Sequence, residues 1–560
     1  MFGLLTAGCN MGGGKTPLAR PRPQPAEVFP PHIAGTVAEY AALAGGGDVA
    51  VQGYGLVMGL GKNGSSEVPA HLREHFNQYL RKHKISSSRG EDESSPSDIL
   101  RDLDTAVVLV RGVIPPGAPA GTRFDVEISA LPETQTRSLD GGVLLPTEMH
   151  LAATGPETAG RQSRSWAEAS GPMFVNPFLN FADSKDQSKF REARVIGGGK
   201  TTVSQSIRLQ LQHADYQRAD LIQTRIRDRF GPNIATAKDD STVEIRIPPA
   251  YVRDYQPFLQ LIMHLPLRQG SGNWETQARE IAAAMEGSGA NHDELALVWE
   301  AMGRQVLPVV QKLYNSPNQT AAYYAGRAGM RLEDRLGTEV VARYAQMKGS
   351  PLQIKAIEEL GKYGRTGGAN VALHELLDDE NEMVRIAAYE ALRQRGDTAR
   401  IRRSTIKGQF DLDVVTSSRK SVVYASQCID QRLVLFGGDI TVRRPLFFNA
   451  PGDVVTVHAS SPEDELSIFR VIPRTGRNSQ TFQAAPRVED LVRLMGTMPD
   501  PGTQSSIYGL GLTYGQVVGI LQRMCQEKDI QAEFRLQVLP EVQKIYKGSV
   551  TVGRPDMPGS

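Results

Sequence analysis

The segment from Trp274 to Arg403 constrains the fold most, because its composition differs from that of the sequence on either side. It is rich in alanine and leucine at helical spacing, whereas the flanking sequence has short β-branched runs separated by glycine and proline. A chain of 560 residues is also too long for one hydrophobic core. We therefore expect an α+β multidomain protein in which an all-α domain is inserted between β-rich domains.

The helical segment also repeats. Gly329, Gly364 and Gly396 follow similar alanine and leucine patterns, and residues 378–392 resemble a HEAT repeat, with an acidic turn before an apolar stripe. This spacing is typical of helical-hairpin solenoids, and an ordinary helical bundle is the alternative. In the first case the segment is expected to bind protein rather than to hold a reaction centre.

The flanking sequence predicts strands, hairpins and two kinds of β-containing domain. Before the helical segment, strands are predicted at 106–110, 123–128 and 142–145, followed by a connection or an ordered insertion over 155–199. An α+β module then has predicted strands at 206–211 and 242–247 and predicted helices at 216–230 and 255–265. After it, strands are predicted at 421–424, 433–436, 454–458, 466–471 and 531–539, with helices at 488–495 and 514–525.

These patterns divide the chain into five segments. They are an N-terminal tether (1–35), a β-rich domain with a connector (36–200), an α+β module (201–270), the helical repeat insertion (271–403) and a C-terminal β-rich domain with short helices (404–560).

The charge balance argues against a polyanionic partner. With 63 Lys and Arg against 62 Asp and Glu, the net charge is +1, so we expect no nucleic acid binding. No run approaches 18 consecutive apolar residues, so the sequence predicts no membrane-spanning helix.

The N-terminus resembles the lipobox of bacterial lipoproteins, since small residues from Leu4 lead to Cys9. A proline-rich tether follows, which suits a body held away from an anchor. The pattern predicts acylation of Cys9, although a basic leader is lacking and the alternative is an ordinary terminus with a chance cysteine. The remaining cysteines, Cys428 and Cys525, either form a disulfide in an oxidising compartment or stay as two buried thiols.

Three phosphate- or nucleotide-binding motifs fail on physical grounds. The string Gly-Gly-Gly-Lys-Thr occurs at 12–16 and 197–201, but each copy lacks the glycine that opens a Walker A loop, so both are interpreted as linkers. Residues 59–64 have G-x-G-x-x-G spacing, yet Pro69 delays the helix that would have to follow. No nucleotide cofactor is expected.

One string has the spacing of a zinc hydrolase. His71, Glu74 and His75 match H-x-x-E-H, which would place two imidazoles one helical turn apart beside a carboxylate. An apolar stripe at Leu72, Phe76, Tyr79 and Leu80 instead favours a surface helix with solvated histidines. The zinc hydrolase is kept as the least favoured hypothesis, and we expect a protein that is not an enzyme and holds no metal or cofactor.

Three β-rich blocks follow one another along the chain. The blocks are 51–60 (VQGYGLVMGL) with 106–126 and 138–147 (SLDGGVLLPT), then 207–231 with 237–247, and finally 431–440 (QRLVLFGGDI) with 488–492 and 514–532. Taken in this order, they resemble the flagellar P-ring protein family of the bacterial basal body. The resemblance covers about two-thirds of the chain and rests on ordered blocks rather than on one motif. The helical insertion and the lipobox-like start depart from the family pattern.

The resemblance implies a structural role in the periplasm. Proteins of this family assemble into a ring that is associated with peptidoglycan and acts as a bushing around the rotating distal rod. The implied partners are other copies of the chain, the rod, other ring proteins and peptidoglycan. Outer-membrane attachment through a lipid on Cys9 is expected from the lipobox-like N-terminus and is not implied by the family. The alternative function is a lipid-anchored, P-ring-like binding module outside the flagellum.

A bushing needs hydrated charge rather than apolar patches against its shaft. The sequence from Arg73 to Arg89 offers such charge, and we predict that its cations face the rod. They are Arg73, Arg81, Lys82 and Lys84. The alternative is an ordinary solvated helix face.

Overall fold

The computed structural model describes residues 30, 32–45, 47–83, 95–115, 117–152, 164–176, 178–179, 186–251, 255–267, 273–406, 409–427, 430–450, 455–471, 479–498 and 509–538. Strands and helices both contribute large parts of it, and one stretch is helical throughout. The predicted α+β multidomain class is confirmed. Within the described ranges, no helix is both long and apolar enough to cross a membrane.

A closed antiparallel barrel forms the first unit. After a short helix α1 (Val37–Tyr40) and a strand β1 (Ala41–Ala44), the barrel strands are β2 (Val49–Met58), β3 (Thr105–Ile114), β4 (Arg123–Ala130), β5 (Val143–Leu151), β6 (Ala167–Pro172) and β7 (Glu192–Thr201). They close in the order β2-β3-β4-β7-β6-β5. Helices α2 (Ala70–Lys82) and α3 (Pro96–Leu100) pack on its outer side.

One sequence-based prediction for this region is wrong. Strands β6 and β7 lie in the stretch that was expected to be a connection or an ordered insertion, and the string at 197–201 ends β7 instead of forming a linker. The reason is steric, because the Phe124 ring lies over both neighbouring strands. A Cβ atom at Gly112 or at Gly199 would lie 2.6 Å from a carbon of that ring. The glycines are therefore strand residues that make room for an aromatic side chain.

The α+β module follows the barrel. It contains β8 (Ile207–Leu211), α4 (Tyr216–Phe230), β9 (Ala235–Ala237), β10 (Thr242–Ile245) and α5 (Gln256–Met263). Its sheet has the order β1-β8-β10-β9. Strand β1 pairs with β8 although all the barrel strands lie between these two strands in the sequence. The Asp215 side chain caps α4 by accepting from the Arg218 amide at 3.2 Å, and Gly231 ends the helix at φ 116°. The predicted strand-helix-strand order is confirmed.

Eight helices span the next segment of the described chain. They are α6 (Asn273–Glu286), α7 (His292–Met302), α8 (Leu307–Val310), α9 (Gln319–Arg331), α10 (Arg335–Gln346), α11 (Gln353–Tyr363), α12 (Gly367–Leu376) and α13 (Glu382–Gln394). Successive helices alternate between two layers. We call α7, α9, α11 and α13 the first layer and α6, α8, α10 and α12 the second layer.

The C-terminal unit has two sheets and two helices. Its elements are β11 (Ile401–Ile406), β12 (Phe410–Val415), β13 (Val422–Ala425), β14 (Arg432–Phe436), β15 (Leu446–Asn449), β16 (Val455–Ala459), β17 (Leu466–Arg470), β18 (Phe482–Ala484), α14 (Val488–Gly496), α15 (Tyr514–Gln526) and β19 (Glu533–Leu536). The sheets have the orders β11-β12-β14-β13-β19 and β15-β16-β17-β18. Short 3₁₀ helices elsewhere lie at Lys189–Arg191, Pro249–Tyr251, Arg304–Val306 and Gln311–Leu313.

The five-stranded sheet is buried on both faces. Val434 and Phe436 pack with the helical segment, whereas Leu433 and Leu435, which point to the opposite face, pack with α14 and α15. This double burial explains why β14 is apolar from Leu433 to Phe436. The five-stranded sheet therefore separates two hydrophobic cores and contributes side chains to both.

Candidate interaction surfaces

Helix α2 presents a charged face on the outside of the barrel. Leu72, Phe76 and Leu80 are buried against the barrel, and this fixes which side of the helix faces solvent. Arg73, Arg81 and Lys82 are all exposed. Lys84 lies outside the described residues. The structure thus brings three of the four predicted cations to one exposed helix.

The local contacts of these cations are those of a helix surface. Arg73 donates from Nη2 to the Val68 carbonyl at 3.3 Å, while Arg81 and Lys82 lie in the last turn, where positive charge complements the helix dipole. Glu74 is the acidic residue of this helix. A net positive surface is therefore present, and its contact with a rod stays a prediction.

The residues of the H-x-x-E-H string are exposed on the same helix. Glu74 Oε1 accepts from Gln78 Nε2 at 2.9 Å, and the His71 ring lies edge-on to Tyr54 with the centroids 6.4 Å apart. In the part of the chain that the structure describes, no three His, Cys, Asp or Glu side chains are grouped so that they could hold a metal ion. The geometry gives the zinc hydrolase hypothesis no support.

Of the two predicted disulfide partners, the structure describes Cys525, whose thiol is free near the end of α15. Cys428 and Cys9 lie outside the described residues, so their chemistry stays a prediction.

The Cys525 thiol is expected to react slowly. Burial raises its pKa to about 12, and the nearby Glu533 carboxylate adds to this. Thiolate is the reactive form, so in a Cys9→Ser, Cys428→Ser background N-ethylmaleimide should modify Cys525 about a thousandfold more slowly at pH 8 than an exposed thiol does. The exposed neighbour in Gln526→Cys is the matched control. Equal labelling rates at the two positions would contradict a buried thiol.

A buried polar cluster joins α13 to the five-stranded sheet. Asp413 on β12 is 0% exposed, and its carboxylate accepts from Tyr389 Oη at 2.6 Å and from Arg403 Nε at 3.1 Å. Burial and the Asp413 carboxylate raise the pKa of Tyr389 well above its usual value, so the phenol remains a donor. This contact pins the middle of α13 to the sheet.

A second cluster lies one residue further along α13. Glu390 binds Arg432 of β14 and accepts from Tyr424 Oη of β13 at 2.9 Å. Burial disfavours the charge of Arg432, but Glu390 outweighs this and raises the pKa of the guanidinium. Arg432 is therefore charged, and removal of Glu390 would leave this buried charge without its partner on α13.

Sequence reasoning missed both clusters. Asp413 lies in FDLDVV, where Asp411 and Asp413 alternate with Phe410 and Leu412. This alternation places Asp413 on the polar face of a strand, so the sequence carries no signal of its burial. Its partner Tyr389 lies on α13 and is distant in the sequence.

A polar cleft of about 500 Å³ lies where α4 meets the helical segment. Arg225, Arg229, Arg304 and Asp228 line it together with Trp274. Arg229 donates to the carbonyls of Glu300 and Ala301, and Arg304 is paired with Glu333. Two of the arginines that line the cleft, Arg229 and Arg304, are therefore already bonded to other groups of the protein.

Comparison with known proteins gives a consistent result. The family model described as "Flagellar P-ring protein" matches residues 36–273. The chain is 25% identical over 341 residues to the flagellar P-ring protein of Oleidesulfovibrio alaskensis, covering 59% of this chain and 85% of that protein. It is 27% identical over 310 residues to that of Anaeromyxobacter dehalogenans strain 2CP-C, covering 53% and 76%. For Aquifex aeolicus the values are 28% over 212 residues, 36% and 52%.

Proposed function

The chain is a member of the flagellar P-ring protein family over residues 36–273, and from this premise we propose that it is a structural subunit of the P ring in the flagellar basal body. The observation that carries the proposal is the extent of the match. It covers the whole barrel and the α+β module. The function is assembly rather than catalysis.

The fold suits a subunit that stays rigid under mechanical load. A closed barrel has no open strand edge, so its backbone hydrogen bonds are satisfied within the subunit. Ring formation needs a head-to-tail contact between different surfaces of identical subunits. A subunit that does not deform keeps that geometry the same at every contact.

The finer features of the proposal follow the family role. The subunits form a bushing around the distal rod in the periplasm, with contacts to peptidoglycan and to other ring proteins. A lipid on Cys9 attaches the subunit to the outer membrane. The exposed cations of α2 face the bore of the ring, where hydrated charge prevents adhesion to the rod.

Electron cryotomography of flagellar motors tests the function directly. Cells that lack this gene should show no ring around the distal rod, and expression of the gene in trans should restore it. An unchanged ring in the deletion strain would overturn the proposal. That result would favour the lipid-anchored binding module outside the flagellum.

Charge reversal on α2 should impair motility without unfolding the protein. The variant Arg73→Glu, Arg81→Glu, Lys82→Glu replaces exposed side chains, so the free energy of unfolding should change by no more than about 1 kcal/mol. We expect the swarm diameter in soft agar to fall at least about twofold, because the bore changes sign. Reversal of three exposed cations in the helical segment, Arg279, Arg335 and Lys348, is the control. Equal swarming by the two variants would contradict a bore-facing α2.

A further inference from the structure

The helical segment is attached to the α+β module through α7, the first helix of the first layer. Arg229 of α4 donates from Nε to the Ala301 carbonyl at 3.2 Å and from Nη2 to the Glu300 carbonyl at 3.3 Å, which satisfies the end of α7. Nearby, His264 Nε2 lies 2.5 Å from Glu294 Oε2, and His264 is completely buried. Ala301 belongs to the shared core of the barrel and the module.

The other end of the first layer is fixed to the C-terminal sheet. The Asp413 and Glu390 clusters described above lie in the middle of α13. At the start of that helix, Glu382 accepts from Arg535 Nε of β19 at 2.6 Å. After its end, Arg400 donates to Asp378 Oδ2 at 2.6 Å and to the Thr416 carbonyl at 2.7 Å. The contact therefore runs along the whole of α13.

Buried ion pairs connect the first-layer helices between these ends. Glu300 of α7 accepts from Arg331 of α9 at 2.9 Å, and Arg331 donates twice to Glu359 of α11, at 2.9 and 2.6 Å. The side chains of these residues are 4%, 15% and 10% exposed. A parallel contact pairs Arg327 of α9, which is 2% exposed, with Asp293 of α7.

The charges in this series are held in their ionised forms. Burial alone would raise the pKa of Glu359, but the charge of Arg331 outweighs it and lowers that pKa. The same balance applies to Asp293, whose pKa falls to about 2 beside Arg327 and Lys355 in spite of its burial. Both carboxylates are therefore ionised at neutral pH, and each is matched to a cation on the next helix.

The last step, from α11 to α13, is made by close packing and a carbonyl contact. A Cβ atom at Gly361 would lie 2.8 Å from Ala391 Cβ, so the two helices approach closely. Arg395 donates from Nη1 to the Leu360 carbonyl at 3.0 Å. At least one polar contact therefore joins each first-layer helix to the next, from α7 to α13, and further polar contacts join α13 to the C-terminal sheet.

A second, direct connection joins the C-terminal unit to the barrel. The rings of Phe174 and Tyr514 stack with their centroids 6.0 Å apart, and Phe174 lies in the core of the C-terminal unit. A Cβ atom at Gly515 would lie 3.3 Å from the Met173 carbonyl. The barrel, the module, the first layer and the C-terminal unit therefore form a closed circuit of contacts.

We propose that the first layer of the helical insertion is a strut that fixes the spacing between the α+β module and the C-terminal sheet. The strut completes the closed circuit of contacts between the barrel, the module, the first layer and the C-terminal unit, and we call this closed arrangement the frame. A domain that served only to bind partners would not have this role. Sliding of one helix past the next would leave buried charges unpaired between α7 and α11, and this cost resists shear at those two steps. The close-packed contact at Gly361 resists compression in the same way.

Hydrogen exchange of the purified full-length protein tests the strut, with backbone amides resolved by mass spectrometry. In Arg331→Met the central ion pairs are lost, and in Tyr389→Phe the sheet contact loses one hydrogen bond. If the frame is closed, both variants should raise exchange at least about tenfold at the start of α15, because the C-terminal unit can then hinge at Phe174. Those amides are far along the chain from either substitution.

A matched control separates coupling from general destabilisation. Leu376→Ala truncates a buried side chain of α12 in the second layer, so it weakens the insertion without touching the contacts in series. Its increase in exchange should stay within the helical segment. The proposal is overturned if the increase in Arg331→Met or Tyr389→Phe is likewise confined to the helical segment. If Arg331→Met does not fold, Tyr389→Phe alone decides between these outcomes.

This experiment is independent of the proposed P-ring function. It uses isolated protein and reads motion within one subunit, so a negative tomography result leaves it unaffected. Conversely, a subunit without a strut can still form a ring. The two failures are therefore distinguishable.

Discussion

Replacing Asp413 with alanine is expected to lower the free energy of unfolding by about 2–3 kcal/mol. Asp413 is completely buried and accepts from Tyr389 Oη at 2.6 Å and from Arg403 Nε at 3.1 Å. Its removal leaves the buried tyrosine hydroxyl without an acceptor, and that group then retains its full desolvation cost. The exposed Arg403 guanidinium loses its partner but stays solvated. Urea denaturation monitored by circular dichroism measures the change.

Two variants on the same strand sharpen this prediction. Asp413→Asn keeps the acceptor for Tyr389 but loses the charge opposite Arg403, so it should cost less than the alanine variant. Asp411→Ala removes a carboxylate that accepts from exposed Thr405 at 2.8 Å, and it should cost about 0.5 kcal/mol. If Asp413→Ala and Asp411→Ala are equally stable, the buried cluster does not stabilise the fold.

The second large effect is expected from Gly337→Ala, which should destabilise the protein by about 3 kcal/mol. A Cβ atom at Gly337 would lie 2.6 Å from the Met330 amide nitrogen and 2.8 Å from the Gly326 carbonyl oxygen. These are backbone atoms of α9, so no side-chain rotation can relieve the contact. Helices α9 and α10 would have to separate. Thermal and urea unfolding both measure the loss.

The control for Gly337 is a helical glycine with free space around it. At Gly368 of α12 a Cβ atom would lie 4.0 Å from Thr366 Oγ1, and no closer neighbour is present. Gly368→Ala should therefore stabilise the protein by up to about 1 kcal/mol through helix propensity alone. Opposite signs for the two variants are the expected result. A stabilising Gly337→Ala would show that the helices can move apart at no cost.

The elements that sequence reasoning predicted well are those defined by local signals. Helix α4 was predicted over the residues where it lies, because Asp215 caps it and Gly231 ends it. The predicted helix at 255–265 is likewise close to α5. In both cases the start, the stop and the apolar stripe are all contained within the segment itself.

The closed barrel could not be derived in the same way. Strand β7 contains Gly197, Gly198 and Gly199, which carry no hydrophobic alternation and were interpreted as a linker. What makes Gly199 a strand residue is the Phe124 ring on β4, which lies far away in the sequence. Barrel closure is thus encoded in pairs of residues, and one segment read alone does not reveal it.

The same distinction applies to the candidate surfaces. The cations of α2 were predicted correctly as exposed, because the stripe of Leu72, Phe76 and Leu80 fixes the opposite face of that helix. The strut was not foreseen, because a charged residue in a helix is normally solvated. Arg331 and Glu359 differ from solvated charged residues only because neighbouring helices cover them. The sequence pattern of one helix does not contain that information.

The pairing of β1 with β8 has a consequence for the order in which the chain folds. Ala41 pairs with Leu211, so the entire barrel is looped out between two adjacent strands of the module. Closing a loop of that length in an unfolded chain costs about 4–5 kcal/mol of entropy. In the folded barrel the start of β2 and the end of β7 lie at the same end of the barrel, on opposite sides of it, so a barrel that has already formed removes much of that cost. The module should therefore acquire its structure only after the barrel, so that the slowest step in barrel closure also limits the rate at which assembly-competent subunits appear.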